Sequence, residues 1–299
     1  MERINFFTTF AKINIYRAVL KRVNKIILLI AALLALARPA HAGLKDDVLC
    51  LSDTLMEGRR HASRGSVEAS VFIMRRLQQI GYDTKIQFFF TERGVGRNLY
   101  AVSKGNPRSD KYTLVCAHYD GLGRIAGKVY PGADANASGV AVMLYLAEQL
   151  RDSGGNYIFA ALDAYSENLA GAEQFSGLPF KLSMVVNIDT IGSTLAPPNR
   201  YRPDFLIILG GKDYEKSFDR ANAGPWLRLY YDYYRSKSFT EYFYKKISDQ
   251  APFLRKGIPA VMFTSGITMN TNKPTDDPEG IDFDVLRRRA ELIRNWLLS

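Results

Sequence analysis

The chain lacks internal repeats, low-complexity tracts and long Pro- or Ser-rich linkers. That excludes a repeat array and leaves one domain behind the first 42 residues. It also lacks a basic stripe. The whole chain counts 40 Lys and Arg against 30 Asp and Glu, but residues 1–42 hold seven of the former and one of the latter. The remainder, 33 against 29, is too mildly basic to grip phosphates, so no nucleic-acid partner is expected. The Gly pair of "ILGGKD", residues 208–213, lacks the G-x-G-x-x-G spacing of a dinucleotide fingerprint. Cysteine is nearly absent, with only Cys50 and Cys116. Cys116 lies in an apolar run that suits a buried thiol, whereas export would permit a Cys50–Cys116 bridge, and spacing does not choose between them.

What is present first is a leader. Arg3, Lys12, Arg17, Lys21, Arg22 and Lys25 precede the apolar run "IILLIAALLALA", Ile26 to Ala37, and Ala40 and Ala42 stand at A-x-A cleavage positions. This pattern predicts a signal peptide over residues 1–42, cut after Ala42, and an exported product, periplasmic or secreted, without a stable membrane span. The alternative is an uncleaved anchor, although the run is short for a bilayer. No cysteine follows closely, so the acceptor of a lipoprotein is missing.

Residues 43–299, in a chain 47% hydrophobic and 23% charged, have material for a sizeable core. "SVEASVFIMRRLQQI" carries apolar residues at helical spacing and is stopped by Gly81. "TKIQFFF", "RNLYAVSKG", "KYTLVCA", "NYIFAALD", "SMVVNID", "DFLIILGG" and "IPAVMFTSG" read as strands, and residues 138–151 and 283–298 as helices. The alternation predicts an α/β domain with a mostly parallel central sheet covered by helices on both faces. His118 and Asp120, Asp163 and Asp189 fall at or just after three strand ends, the usual ligand position in such sheets. Each Asp alone is equally a turn or helix cap.

Six stretches in order, "CAHYDGLG", "PGADANASGVAV", "ALDAYSENLAGAEQF", "VVNIDTIGS", "SDQAPFLRKGIPAVMFTSG" and "NKPTDDPEGID", resemble the co-catalytic zinc aminopeptidases, a group that includes the bacterial leucyl aminopeptidases, aminopeptidases S and Y and glutaminyl cyclases. The similarity runs from about residue 60 to 299. It implies a single zinc-exopeptidase-like domain over 43–299. It also implies a site in which an aspartate bridges two zinc ions and a glutamate serves as general base. Such a pair polarises a carbonyl and supplies hydroxide near neutral pH.

By that resemblance His118 and Asp189 match ligands of one zinc, and Asp120 matches the carboxylate that orients His118. The other positions depart from the pattern. Ala135 stands where the bridging aspartate belongs, Tyr165 at the general base, Ser166 at a ligand glutamate and Asn272 at the second ligand histidine. Gln250 stands where histidine is frequent. Alanine cannot ligate, serine and asparagine are poor zinc ligands, and neutral tyrosine, with a reference pKa of about 10, is a poor base. Of the three histidines, His41 lies in the leader and His61 reads as a surface or loop residue remote from the strand ends, leaving His118. Asp134 and Glu167, each one residue from a lost ligand, are candidate slipped ligands, although a one-residue slip in extended chain turns a side chain to the opposite face.

The expectation is an exported aminopeptidase homologue, impaired or inactive, binding no zinc or one weakly, whose cleft takes a peptide or protein ligand. The alternative is an active hydrolase with a rearranged or mononuclear zinc site. "YYDYYRSKSFTEYFYKK", residues 230–246, reads as a strand or hairpin placing rings under the site and at its rim. Oligomeric state is not legible in the sequence.

Overall fold

The computed structural model describes residues 43–103, 105–233 and 236–299. The expected leader, residues 1–42, lies outside them.

In chain order the strands are β1 (Thr84–Thr91), β2 (Gly94–Val102), β3 (Lys111–His118), β4 (Gly123–Ile125), β5 (Lys128–Tyr130), β6 (Tyr157–Leu162), β7 (Lys181–Ile188), β8 (Phe205–Leu209), β9 (Arg228–Tyr230) and β10 (Ala260–Thr264). The helices are α1 (Leu44–Ser52), α2 (Arg64–Ile80), α3 (Gly139–Gln149), α4 (Ala170–Ser176), α5 (Glu215–Ala221), α6 (Lys237–Lys246), α7 (Ala251–Arg255) and α8 (Phe283–Leu297). Eight strands form one sheet in the order β1-β2-β6-β3-β7-β10-β8-β9, and β4-β5 is a separate hairpin. The central run β6-β3-β7-β10 is parallel throughout, while β1, β2 and β8 join antiparallel. The mostly parallel α/β domain expected from the sequence is therefore present.

Central strands of uninterrupted apolar sequence must be buried on both faces. Val115 and Ala117 of β3 with Phe159 and Ala161 of β6 pack among residues of α1, α2, α3 and α8. Leu114 and Cys116 with Ile158 and Ala160 turn to the other face, against α4 and α7. This two-residue alternation makes two cores from one sheet. Ser63 caps α2 by accepting from the Ser66 N–H at 3.3 Å, and Gly81 ends it at φ 101°. Cys50 and Cys116 are both free thiols, so the bridge that export would permit is not formed.

One expectation fails. The tyrosine-rich segment is not a hairpin: β9 ends at Tyr230 and α6 begins at Lys237, capped by Ser236. Tyr and Phe favour strands by propensity, but Phe239/Phe243 and Thr240/Tyr244 recur at i, i+4, and Phe239 and Phe243 both pack on Tyr233. Tertiary packing of that helical face overrides propensity.

A buried arginine fixes the loops above the strand ends. Arg59 is fully buried; it donates to the carbonyls of Tyr119 at 2.9 Å, Pro131 at 2.6 Å, Gly132 at 2.9 Å and, closely, Leu51. Burial pushes its pKa down to about 10, so it stays cationic at neutral pH. One side chain thus ties α1 to the β3 loop and to the turn preceding α3.

Candidate functional site

Three loops at the carboxyl ends of β3, β6 and β7 meet in a cavity of about 340 Å³ lined by His118, Asp120, Ala135, Tyr165, Ser166, Asp189, Thr190 and Asn272, among others. Every position that the resemblance marks as ligand or base, retained or replaced, faces this cavity. Apolar side chains complete it: Leu122, Tyr233, Phe243, Ile247, Met262 and Ile267.

The floor is buried and closely bonded. His118 Nε2 lies 3.5 Å from Asp189 Oδ1. Its Nδ1 is 3.0 Å from the backbone carbonyl of Asp120 and 3.7 Å from that residue's carboxylate. Asp120 therefore orients His118 chiefly through its main chain, while its Oδ1 accepts from the Tyr165 N–H at 2.9 Å. Asp120 Oδ2 is buried and has no hydrogen-bond partner. Asp189 accepts from Thr190 Oγ1 at 2.9 Å and from Ser248 Oγ at 2.6 Å, and Asn187 Nδ2 donates to Ser248 at 2.8 Å. Burial pushes His118 down, but Asp120 and Asp189 outweigh it and hold its pKa well above the histidine value. Burial likewise raises Asp189, and His118 with the two hydroxyls reverses this and leaves it lowered. The floor is thus a buried imidazole beside a carboxylate, each shifted so as to favour its charged form. Behind it, burial raises Asp249 to about 7, and its Oδ2 is also unpartnered.

Tyr165 covers this pair. Its ring stacks on the His118 ring with centroids 4.0 Å apart and planes 22° apart, and its hydroxyl donates to the Ile247 carbonyl at 2.7 Å. Burial keeps that phenol protonated, with a pKa well above the tyrosine value. The opposite wall is different in kind. Ser166 and Asn272 are exposed, and neither side chain makes a hydrogen bond among the described residues. Ala135 offers a methyl group; its peptide bond to Asn136 is cis.

Asp134 and Glu167 do not line the cavity. Asp134 Oδ1 accepts from the Gly192 N–H at 2.6 Å and the Ser193 N–H at 3.1 Å, and burial raises its carboxyl to about 7. Glu167 pairs with Arg93 at 2.6 Å. In both cases the one-residue offset turns the side chain to other partners. Gln250 is buried beneath the site, accepting from Asn187 at 2.7 Å and donating to the Tyr244 carbonyl at 2.7 Å.

His61 is a correction. It is buried, not a surface residue, and its Nδ1 lies 3.1 Å from Asp163 Oδ1, off the hydrogen-bonding axis, at the end of β6. Its Nε2 meets Thr91 Oγ1 at 2.8 Å. Asp163 in turn accepts from the N–H groups of Ala164 and Arg97 at 2.8 and 3.1 Å, so it shapes the loop that carries Tyr165. The segment after α1 folds back over strand ends some 100 residues later, a proximity without a local signal. Ser248 and Asp249 also belong to the site; the only sequence signal for them is the polar run "SDQ" between the helices α6 and α7.

The residues present do not match a pair of zinc ions. The retained imidazole and carboxylate lie 3.5 Å apart under the Tyr165 ring, and the second set of donors is missing. Among the described residues no three of His, Cys, Asp and Glu are grouped to hold a metal.

An open α/β sheet with polar residues converging at the ends of its parallel strands is the architecture of an α/β enzyme fold. Residues 98–297 match Peptidase family M28, and the chain belongs to that family. Its members are zinc-dependent hydrolases and cyclases, to which this chain is homologous. Among solved structures it resembles a zinc aminopeptidase from Bacillus subtilis at 15% identity, covering 86% of this chain and 94% of that one with a TM-score of 0.68. It resembles glutaminyl cyclase from Fimbriiglobus ruber at 18% identity over 86% and 94% of the two chains, also with a TM-score of 0.68. LapA aminopeptidase of Legionella pneumophila matches at 15% identity over 86% of this chain and 70% of that one, with a TM-score of 0.66. At these identities the likeness speaks for the fold alone. No curated protein matches the chain in sequence. Among the described residues no helix is long and apolar enough to cross a membrane.

Proposed function

We propose that this family M28 chain is an exported binding protein whose cleft takes a peptide or protein segment without co-catalytic two-zinc hydrolysis. The observation that carries the reading is the replacement wall: Ala135, Ser166 and Asn272 line the cavity where the resemblance requires donors, while Tyr165 lies over His118. The apolar walls suit an apolar side chain of a peptide. Export rests on the leader pattern of residues 1–42 and is checked by the N-terminal sequence of the processed protein.

The test is zinc content of the full chain after zinc loading and desalting, beside an aminopeptidase assay. Retention below a tenth of a zinc per chain with no turnover is the expected result. Two zincs with chelator-sensitive turnover lost in His118→Ala overturns it. One zinc lost in His118→Ala favours a mononuclear site, a second reading that the adjacency of His118, Asp120 and Asp189 supports.

A further inference from the structure

The edge strand β1 is an unusual surface. It pairs with β2 on one side, and among the described residues no strand pairs with its other side. Its sequence alternates so that Ile86, Phe88 and Phe90 share one face, and they are 38%, 61% and 84% exposed. Val95 of β2, opposite Phe90, adds to the same face at 37% exposure. Sheet edges are ordinarily blunted by proline, by bulges or by inward-pointing charge. Thr84–Thr91 has no proline, pairs with β2 without a register shift, and carries one charge, Lys85. An eight-residue edge of this kind is a pairing template.

From its register we infer that the outer edge of β1 pairs antiparallel with β1 of a second copy of this chain, about a two-fold axis at Phe88. A two-fold axis normal to the sheet pairs residues of the same parity and keeps each face continuous. Centred on Phe88, it sets Ile86 against Phe90 and Phe88 against itself, making an unbroken apolar band. Beyond the strand ends it brings Asp83, just before β1, toward Arg93 in the β1–β2 turn of the other copy, an opposite-charge approach at each end. Arg93 already meets Glu167, so Asp83 supplies a second carboxylate. A shift of one residue in the axis toward Phe89 sets Lys85 against Arg93 and Ile86 against Glu92, and the opposite shift sets Phe90 against Thr84. Of these three registers the one centred on Phe88 keeps Ile86, Phe88 and Phe90 wholly among themselves. The two eight-stranded sheets then join as one of sixteen. Because the copies run antiparallel, their clefts open at opposite edges of the joined sheet.

Sedimentation velocity of the full chain tests this. The wild type is expected to sediment as a dimer. Phe88→Lys combined with Phe90→Lys, which brings four ammonium groups together, is expected to be a monomer with unchanged circular dichroism. Arg93→Asp should weaken the dimer at least tenfold, and adding Asp83→Arg should restore it. In a Cys50→Ser background, Phe88→Cys should be joined by a short bis-maleimide across the axis. A chain that stays monomeric to its solubility limit overturns the inference. So does a dimer indifferent to the lysine pair, or one that the charge swap fails to restore.

Discussion

The two walls of the cleft differ in kind. On one, His118, Asp120 and Asp189 are at most 6% exposed, lie against one another and are held by Thr190, Ser248 and Tyr165. On the other, Ser166 and Asn272 are exposed and without a side-chain hydrogen bond, and Ala135 has nothing to bond with. The difference bears on which ligand positions keep a ligating side chain and which carry another residue. A residue inside a buried network cannot be changed without stranding its partners, whereas an exposed ligand that has no metal has nothing to hold it.

The largest test of this contrast rebuilds the second wall. Combining Ala135→Asp, Tyr165→Glu, Ser166→Glu and Asn272→His is expected to raise bound zinc to two per chain, read by elemental analysis, while the parent retains none. If the rebuilt chain stays empty with its fold intact, the loops themselves have departed from a metal-binding geometry. Next in size is the first wall. Asp189→Ala removes the partner of the buried His118 imidazole and of Ser248, and is expected to cost about 3–5 kcal/mol in urea unfolding. A loss below 1 kcal/mol would mean that the floor is not held by this pair.

A pH effect follows behind the walls. Burial alone would lower the pKa of His61, but Asp163 and its neighbours raise it above the ordinary value. The folded state therefore binds the proton more tightly than the unfolded chain. This stabilisation is complete below the unfolded histidine value, about 6.5, and disappears as pH rises through the folded value. The Tm difference between wild type and His61→Ala should shrink across that window; a difference that grows with pH would reverse the assignment. Asn272→Ala is expected to cost about 1 kcal/mol, because Asn272 sits at φ 61°, a conformation that alanine adopts less readily than asparagine. Smallest is Ser166→Ala, expected to shift stability by no more than about 0.5 kcal/mol.

The sequence exposed those features whose cause is local. Apolar runs placed β3, β6 and β7, and their ends placed His118 and Asp189, because strand alternation and termination are short-range patterns. The offset of Asp134 and Glu167 follows from the same parity. His61 was misread because nothing near it in sequence indicates Asp163. Tyr165 could be recognised as an altered base, but its stacking on His118 depends on how two separate loops approach. The helix α6 was hidden by the strand propensity of its aromatic residues, although Ser236 and the i, i+4 rings were there to be counted.

Arg59 reaches only main-chain oxygens: those of Leu51, Tyr119, Pro131 and Gly132. Every amino acid carries that oxygen. The loops around the cleft are therefore anchored through their main chain, with Gly132, where an added Cβ would meet the guanidinium at 2.8 Å, held to glycine by the anchor itself. The same main-chain anchoring makes this chain a ready scaffold for grafting a new recognition surface or a new metal site, with loop shape supplied in advance.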